Sequence, residues 1–96
     1  MKIKTSELTG FALDWAVNQI EECCDDPHTP LFSTDWTQSG PIIERERINL
    51  WNEGYDWEAS RFGEHVLWGS TPLIAAMRCF VASKLGDEVD VPDDLI

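Results

Sequence analysis

At 96 residues the chain has the length of one small domain, and its 43% hydrophobic content sets it apart from disordered sequences. Eighteen acidic residues against seven basic ones give a net charge of −11. A field of that sign repels phosphate backbones and anionic membranes, so it argues against direct nucleic-acid and membrane binding and favours a basic partner or simple solubility. No apolar run reaches the roughly 18 residues that a membrane span needs, and the start, MKIKTSEL, lacks the apolar stretch of a signal peptide. Cys23, Cys24 and Cys79 are an odd set with two adjacent members, which bridge poorly. Free thiols in a reducing compartment are expected.

In chain order, residues 5–24 read as a helix. Thr5 or Ser6 is the expected cap, and Glu7 falls in the first turn, where an anion is favoured. Leu8, Ala12, Trp15, Ala16, Gln19 and Cys23 follow helical spacing, and Leu13, Val17, Ile20 and Cys24 widen the stripe. Asp14, Asn18, Glu21 and Glu22 supply a polar face, and Gly10 weakens the first turns by about 1 kcal/mol relative to Ala. Residues 25–41 hold three prolines among turn formers and read as a loop. Its bulky members, Leu31, Phe32 and Trp36, either plug the edge of the core or, with Asp35, wall a ligand site.

Residues 41–47 read as one or two turns of helix with Ser39 as cap and Pro41 at its first position, with an extended segment as the alternative. Alternation then predicts strands over residues 48–51, 55–61 and 64–68, the second with Tyr55, Trp57 and Ala59 on one face. Turns at Asn52–Gly54 and Phe62–Gly63 join them into an antiparallel meander. The stretch from Gly69 to Gly86 carries its own helix signals: Thr71 as cap, Pro72 at the first position, Lys84 in the last turn and Gly86 at the end. Between Leu73 and Ala82 only Arg78 is polar, so this helix must be covered on most sides and forms the centre of the core. The tail at residues 87–96 is acidic, with Val89, Val91, Leu95 and Ile96 as anchors, and is expected either as an edge segment or as disordered chain. The predicted class is α+β: one domain, two main helices packed on a small antiparallel β-meander. Ten aromatic residues crowd so small an interior that self-association is a further expectation.

Catalytic signatures are weak. Cys23, Cys24, His28 and His65 match no zinc spacing, so no metal is expected. No strained-turn nucleophile motif surrounds any Cys or Ser, and the glycines form no phosphate-binding loop, so neither catalysis nor a cofactor is expected. A binding pocket is a better signal than catalysis or a metal. The turn Gly69–Pro72 opens a helix whose N-terminus favours anions; four arginines and several tryptophans are available to neutralise and to stack. Against it stands the plain alternative that Thr71 only caps, Arg78 pairs with a carboxylate and the tryptophans pack.

Three blocks, KTSELTGFALDWAV, STDWTQSGPIIERE and GSTPLIAAMRCFVASKLGDEVDVP, resemble the NinX-like family of small proteins from lambdoid and related tailed phages and prophages. The resemblance covers most of the chain and is most specific in the third block. The stretch INLWNEGYDWEASRFGEHVLW is more individual. Matching positions are Thr34, Asp35, Trp36, Gly40, Pro41, Glu44, Arg45, Thr71, Pro72 and Arg78. The resemblance brings no catalytic residue. It implies a phage accessory protein in the cytoplasm of the bacterial host, with a host small molecule or host protein as partner. One expectation is sequestration of a nucleotide-like molecule of host defence. Trp36 would stack, Arg45 and Arg78 would neutralise phosphate, the N–H groups after Thr71 would bind phosphate oxygens, and Asp35 would contact sugar or base. The alternative is an acidic inhibitor that imitates DNA and binds a basic host protein.

Overall fold

The computed structural model describes residues 1–21, 32–52, 54–61 and 64–93. The expectations for Cys23, Cys24, His28, Leu31, the Phe62–Gly63 turn, and Leu95 and Ile96 of the tail lie outside the described residues. Among the described residues, five strands and three α-helices follow one another: β1 (Lys2–Lys4), a 3-10 turn (Thr5–Glu7), α1 (Gly10–Glu21), α2 (Trp36–Glu46), β2 (Ile48–Asn52), β3 (Trp57–Arg61), β4 (Glu64–Gly69), α3 (Pro72–Leu85) and β5 (Glu88–Asp90). The class is α+β, as the change of hydrophobic period predicts.

The central helix forms from its own signals. Thr71 is extended and its hydroxyl accepts the Ile74 N–H at 3.2 Å, while Pro72 takes the first turn. Gly86 ends the helix at φ 89° and ψ −164°, a region that only glycine visits readily. Leu73, Ala75, Ala76, Met77, Cys79, Phe80, Val81 and Ala82 are buried. The sheet, α1 and α2 all pack on α3, so its nearly all-round apolar surface is covered.

The meander has the order β2-β3-β4, with both pairs antiparallel. Leu50, Ala59 and Leu67 stand opposite one another and share a face with Ile48 and Trp57. Trp51, Glu58 and Trp68 form the equivalent row on the other face, where Trp68 Nε1 donates to Glu58. Tyr55 does not join the apolar face: it precedes β3 and is almost fully exposed. Gly69 is buried at the end of β4, where a Cβ would lie 2.5 Å from the Ala75 nitrogen. Any larger residue there forces strand and helix apart.

The N-terminal expectation needs correction. Residues 2–4 are strand, not lead-in, and α1 starts at Gly10 instead of residue 5. Thr5 caps nothing. It is buried, its hydroxyl donates to the Gly86 carbonyl at 2.6 Å, and its N–H donates to Asp87 O at 2.7 Å. Gly10, at φ 56°, supplies the bend between the 3-10 turn and α1, a conformation costly for other residues. Asp14 also leaves the polar face assigned to it: it is buried and accepts the Ser33 N–H at 2.7 Å. The acidic segment after α3 is the edge strand β5, antiparallel to β1, with Lys2 opposite Asp90 and Lys4 opposite Glu88. Val89 and Val91 are buried beneath it.

The loop predicted over residues 25–41 ends early. Helix α2 starts at Trp36 and runs through Gly40 and Pro41, capped by Asp35, whose carboxylate accepts the Thr37 N–H at 2.9 Å. Ser39 is no cap; it is buried within the helix and its hydroxyl donates to the Phe32 carbonyl. Pro41 offers no N–H to the Thr37 carbonyl, a loss that burial of Ser39 and Ile42 outweighs. Arg47 closes the helix in the left-handed conformation, at φ 54°. Phe32 is buried and plugs the core, whereas Trp36 remains 53% exposed.

Candidate functional site

Helix α2 brings one predicted site residue to each of its ends. At the start, Trp36 meets the α3 cap across a cleft of about 260 Å³, lined by Ser33, Thr34, Trp36, Thr71, Pro72 and Leu73. Two segments distant in sequence build it: the turn before α2, pinned by Asp14 to Ser33, and the turn that opens α3. Trp36 and Thr71 therefore come together as the sequence reading requires. Asp35 adjoins them, but its two carboxylate oxygens serve the helix: Oδ1 takes the Thr37 N–H and Oδ2 the Gln38 amide at 3.3 Å.

The two arginines are elsewhere. Arg45 lies nine residues further along α2, roughly 13 Å by the helical rise. Its guanidinium binds Glu21 through both Nη atoms and Glu46 through Nε at 2.9 Å, with its charge 5.8 Å from the centre of the Phe80 ring. The Glu21 and Glu46 bonds raise its pKa beyond the already high arginine value. Arg78 donates from Nε to Leu8 O and from Nη1 to Trp68 O, both at 2.7 Å, so it ties the 3-10 turn and β4 to α3. Burial lowers its pKa, with Asp56 acting in the opposite sense. Arg78 pairs with carbonyls, not with the carboxylate of the plain alternative.

Glu46, 8% exposed, is the hub at the far end of α2. Besides Arg45, it has Arg61 Nη2 and Lys84 Nζ each 3.3 Å from Oε1. Oε1 thus sits at ion-pair distance from two cations, and Lys84 acts on the carboxylate through both hydrogen bonding and charge. Burial alone pushes the Glu46 carboxyl up; the Arg45 hydrogen bond and the Lys84 and Arg61 charges outweigh it and leave the pKa below the ordinary value. Asp14 shows the reverse: burial raises it, and the Ser33 hydrogen bonds only partly compensate.

The α3 N-terminus keeps one spare backbone donor near its start, the Leu73 N–H. Pro72 has no N–H, Ile74 gives its N–H to the Thr71 hydroxyl and Ala75 to the Thr71 carbonyl. The Cys79 thiol is buried and pushed up to about 11, so it stays protonated at neutral pH. A second cleft, of about 300 Å³, lies between β4 and the β1–β5 ribbon and is lined by Lys4, Thr5, Ser6, Leu67, Ala82, Asp87 and Glu88. Sequence reasoning named Thr34 but missed Ser33, which carries no signal beyond standing two residues before the Asp35 cap.

Among the described residues no group of three His, Cys, Asp or Glu side chains could hold a metal ion, and no helix is long and apolar enough to cross a membrane. The family model described as Bacteriophage P22, NinX matches residues 24–84, more than half of the chain. The match takes in the second resemblance block whole and the third as far as Lys84, and leaves out the first. No curated protein matches the chain.

Proposed function

Because the chain belongs to the phage NinX family, we propose that it is a non-catalytic phage accessory protein that acts in the cytoplasm of the bacterial host by sequestering a nucleotide-like small molecule of host defence. The observation that carries this reading is the Trp36 cleft. An indole 53% exposed is held at a helix start beside the hydroxyls of Ser33, Thr34 and Thr71. An aromatic face left open to solvent costs stability relative to burial, and a stacked ring recovers that loss. Trp36 and Thr71 are the residues on which binding depends, with Thr34 as a polar contact.

A second reading, an acidic inhibitor of a basic host protein, has its own support. Asp87, Glu88, Asp90 and Asp93 all lie exposed along or beside β5. Lys2 and Lys4 stand opposite two of them, which dilutes the field of that ribbon.

Incubation with lysate of defence-activated host, followed by washing, denaturation and analysis of the released molecules, separates the two. Sequestration predicts a recovered nucleotide that Trp36→Ala no longer retains. An empty release together with a basic host protein that salt strips from the bait supports the inhibitor instead.

A further inference from the structure

We infer that the Trp36 cleft recognises the uncharged nucleoside part of its ligand, base and ribose, and leaves any phosphate in solvent; this rests on the sequestration reading above. None of the six described residues that line the cleft carries a charge. The arginines of both helices are already engaged, Arg45 near the far end of α2 by two carboxylates and Arg78 midway along α3 by two backbone carbonyls. Of the N–H groups at the helix start that opens onto the cleft, Ile74 and Ala75 give theirs to Thr71 and Pro72 has none, which leaves the Leu73 N–H as one uncharged donor. The nearest formal charge in sequence is the Asp35 carboxylate, which repels phosphate, as does the overall charge of −11.

What the described lining offers is neutral. Trp36 presents an aromatic face to a base, a contact that tolerates any base because each has a π-face. The Thr71 hydroxyl accepts from Ile74 and keeps its own proton to donate, and the Thr34 hydroxyl is exposed beside it. Hydroxyls that both donate and accept suit ribose and the polar edges of a base.

The test is calorimetric titration of the full chain with adenosine, guanosine, cytidine and uridine, then with the mono- and triphosphates of each, at low and at high salt. The expected result is that at least one nucleoside binds as tightly as its own triphosphate and that salt leaves its affinity unchanged. Trp36→Ala, which should melt as the parent does, loses roughly five- to hundredfold in affinity, and Trp36→Phe keeps most of it. Binding of a triphosphate but not of its nucleoside, abolished by salt, overturns this inference and leaves sequestration standing. Binding of neither, by a chain that melts normally, overturns both.

Discussion

Two buried carboxylates, Asp14 and Glu46, hold the two ends of α2 to the rest of the fold by opposite means. Asp14 accepts from Ser33, and desolvation raises its pKa. Glu46 meets three cations, and its pKa falls despite burial. The charged end is saturated: every arginine that reaches it is spent on cohesion. The opposite end has no cation among the described residues that line its cleft, and it has an exposed indole. The comparison teaches that in an acidic protein the scarce basic residues go first to structure, and that the open surface is to be sought where they are absent.

The largest expected effect is at the charged end. Glu46→Ala leaves Arg45, Arg61 and Lys84 facing one another around a buried space and should lower stability by about 3 kcal/mol, read by urea unfolding. A loss below the error of the extrapolation would show that the hub contributes little.

The pH dependence contrasts the two ends next. Glu46 binds its proton more weakly folded than unfolded, so its contribution is present above the ordinary Glu pKa of about 4.3 and is lost as pH falls through the lower folded value. Asp14 binds its proton more tightly folded, so its ionisation removes stability as pH rises from about 3.9 through the raised folded value. Asp14→Asn keeps an acceptor for the Ser33 N–H and should flatten that second loss without touching the first. Thermal melts across mildly acid to neutral pH check it; an unchanged profile would place the loss elsewhere.

Smaller effects belong to the cleft end. Asp35→Ala removes the α2 cap and should cost about 1 kcal/mol in the same unfolding assay. Trp36→Ala should stay within about 0.5 kcal/mol, because half of the side chain already lies in water. A large loss on Trp36→Ala would make the indole part of the core and remove the neutral surface from the comparison.

Much of the architecture was legible. The α3 limits follow from Thr71, Pro72 and Gly86, and the meander from alternation over residues 48–68. The start of α2 was not, because Gly40 and Pro41 read as breakers and only the burial of Ser39 and Ile42 in the folded chain overrides them. Of the candidate site, the pairing of Trp36 with Thr71 was anticipated, while the engagement of Arg45 and Arg78 was not.

By itself the sequence determined whatever acts within a few residues: caps, the run of apolar side chains in α3, the period of each strand and the net charge. Local hydrogen bonds and steric limits act at that range. Only the tertiary structure decided which distant groups meet. The pairing of Lys2–Lys4 with Glu88–Asp90, the Thr5 hydroxyl on the Gly86 carbonyl, and the Arg78 bond to the Leu8 carbonyl depend on chain closure across most of the molecule. A cation and a carboxylate attract wherever they are brought together, and composition does not say where that is.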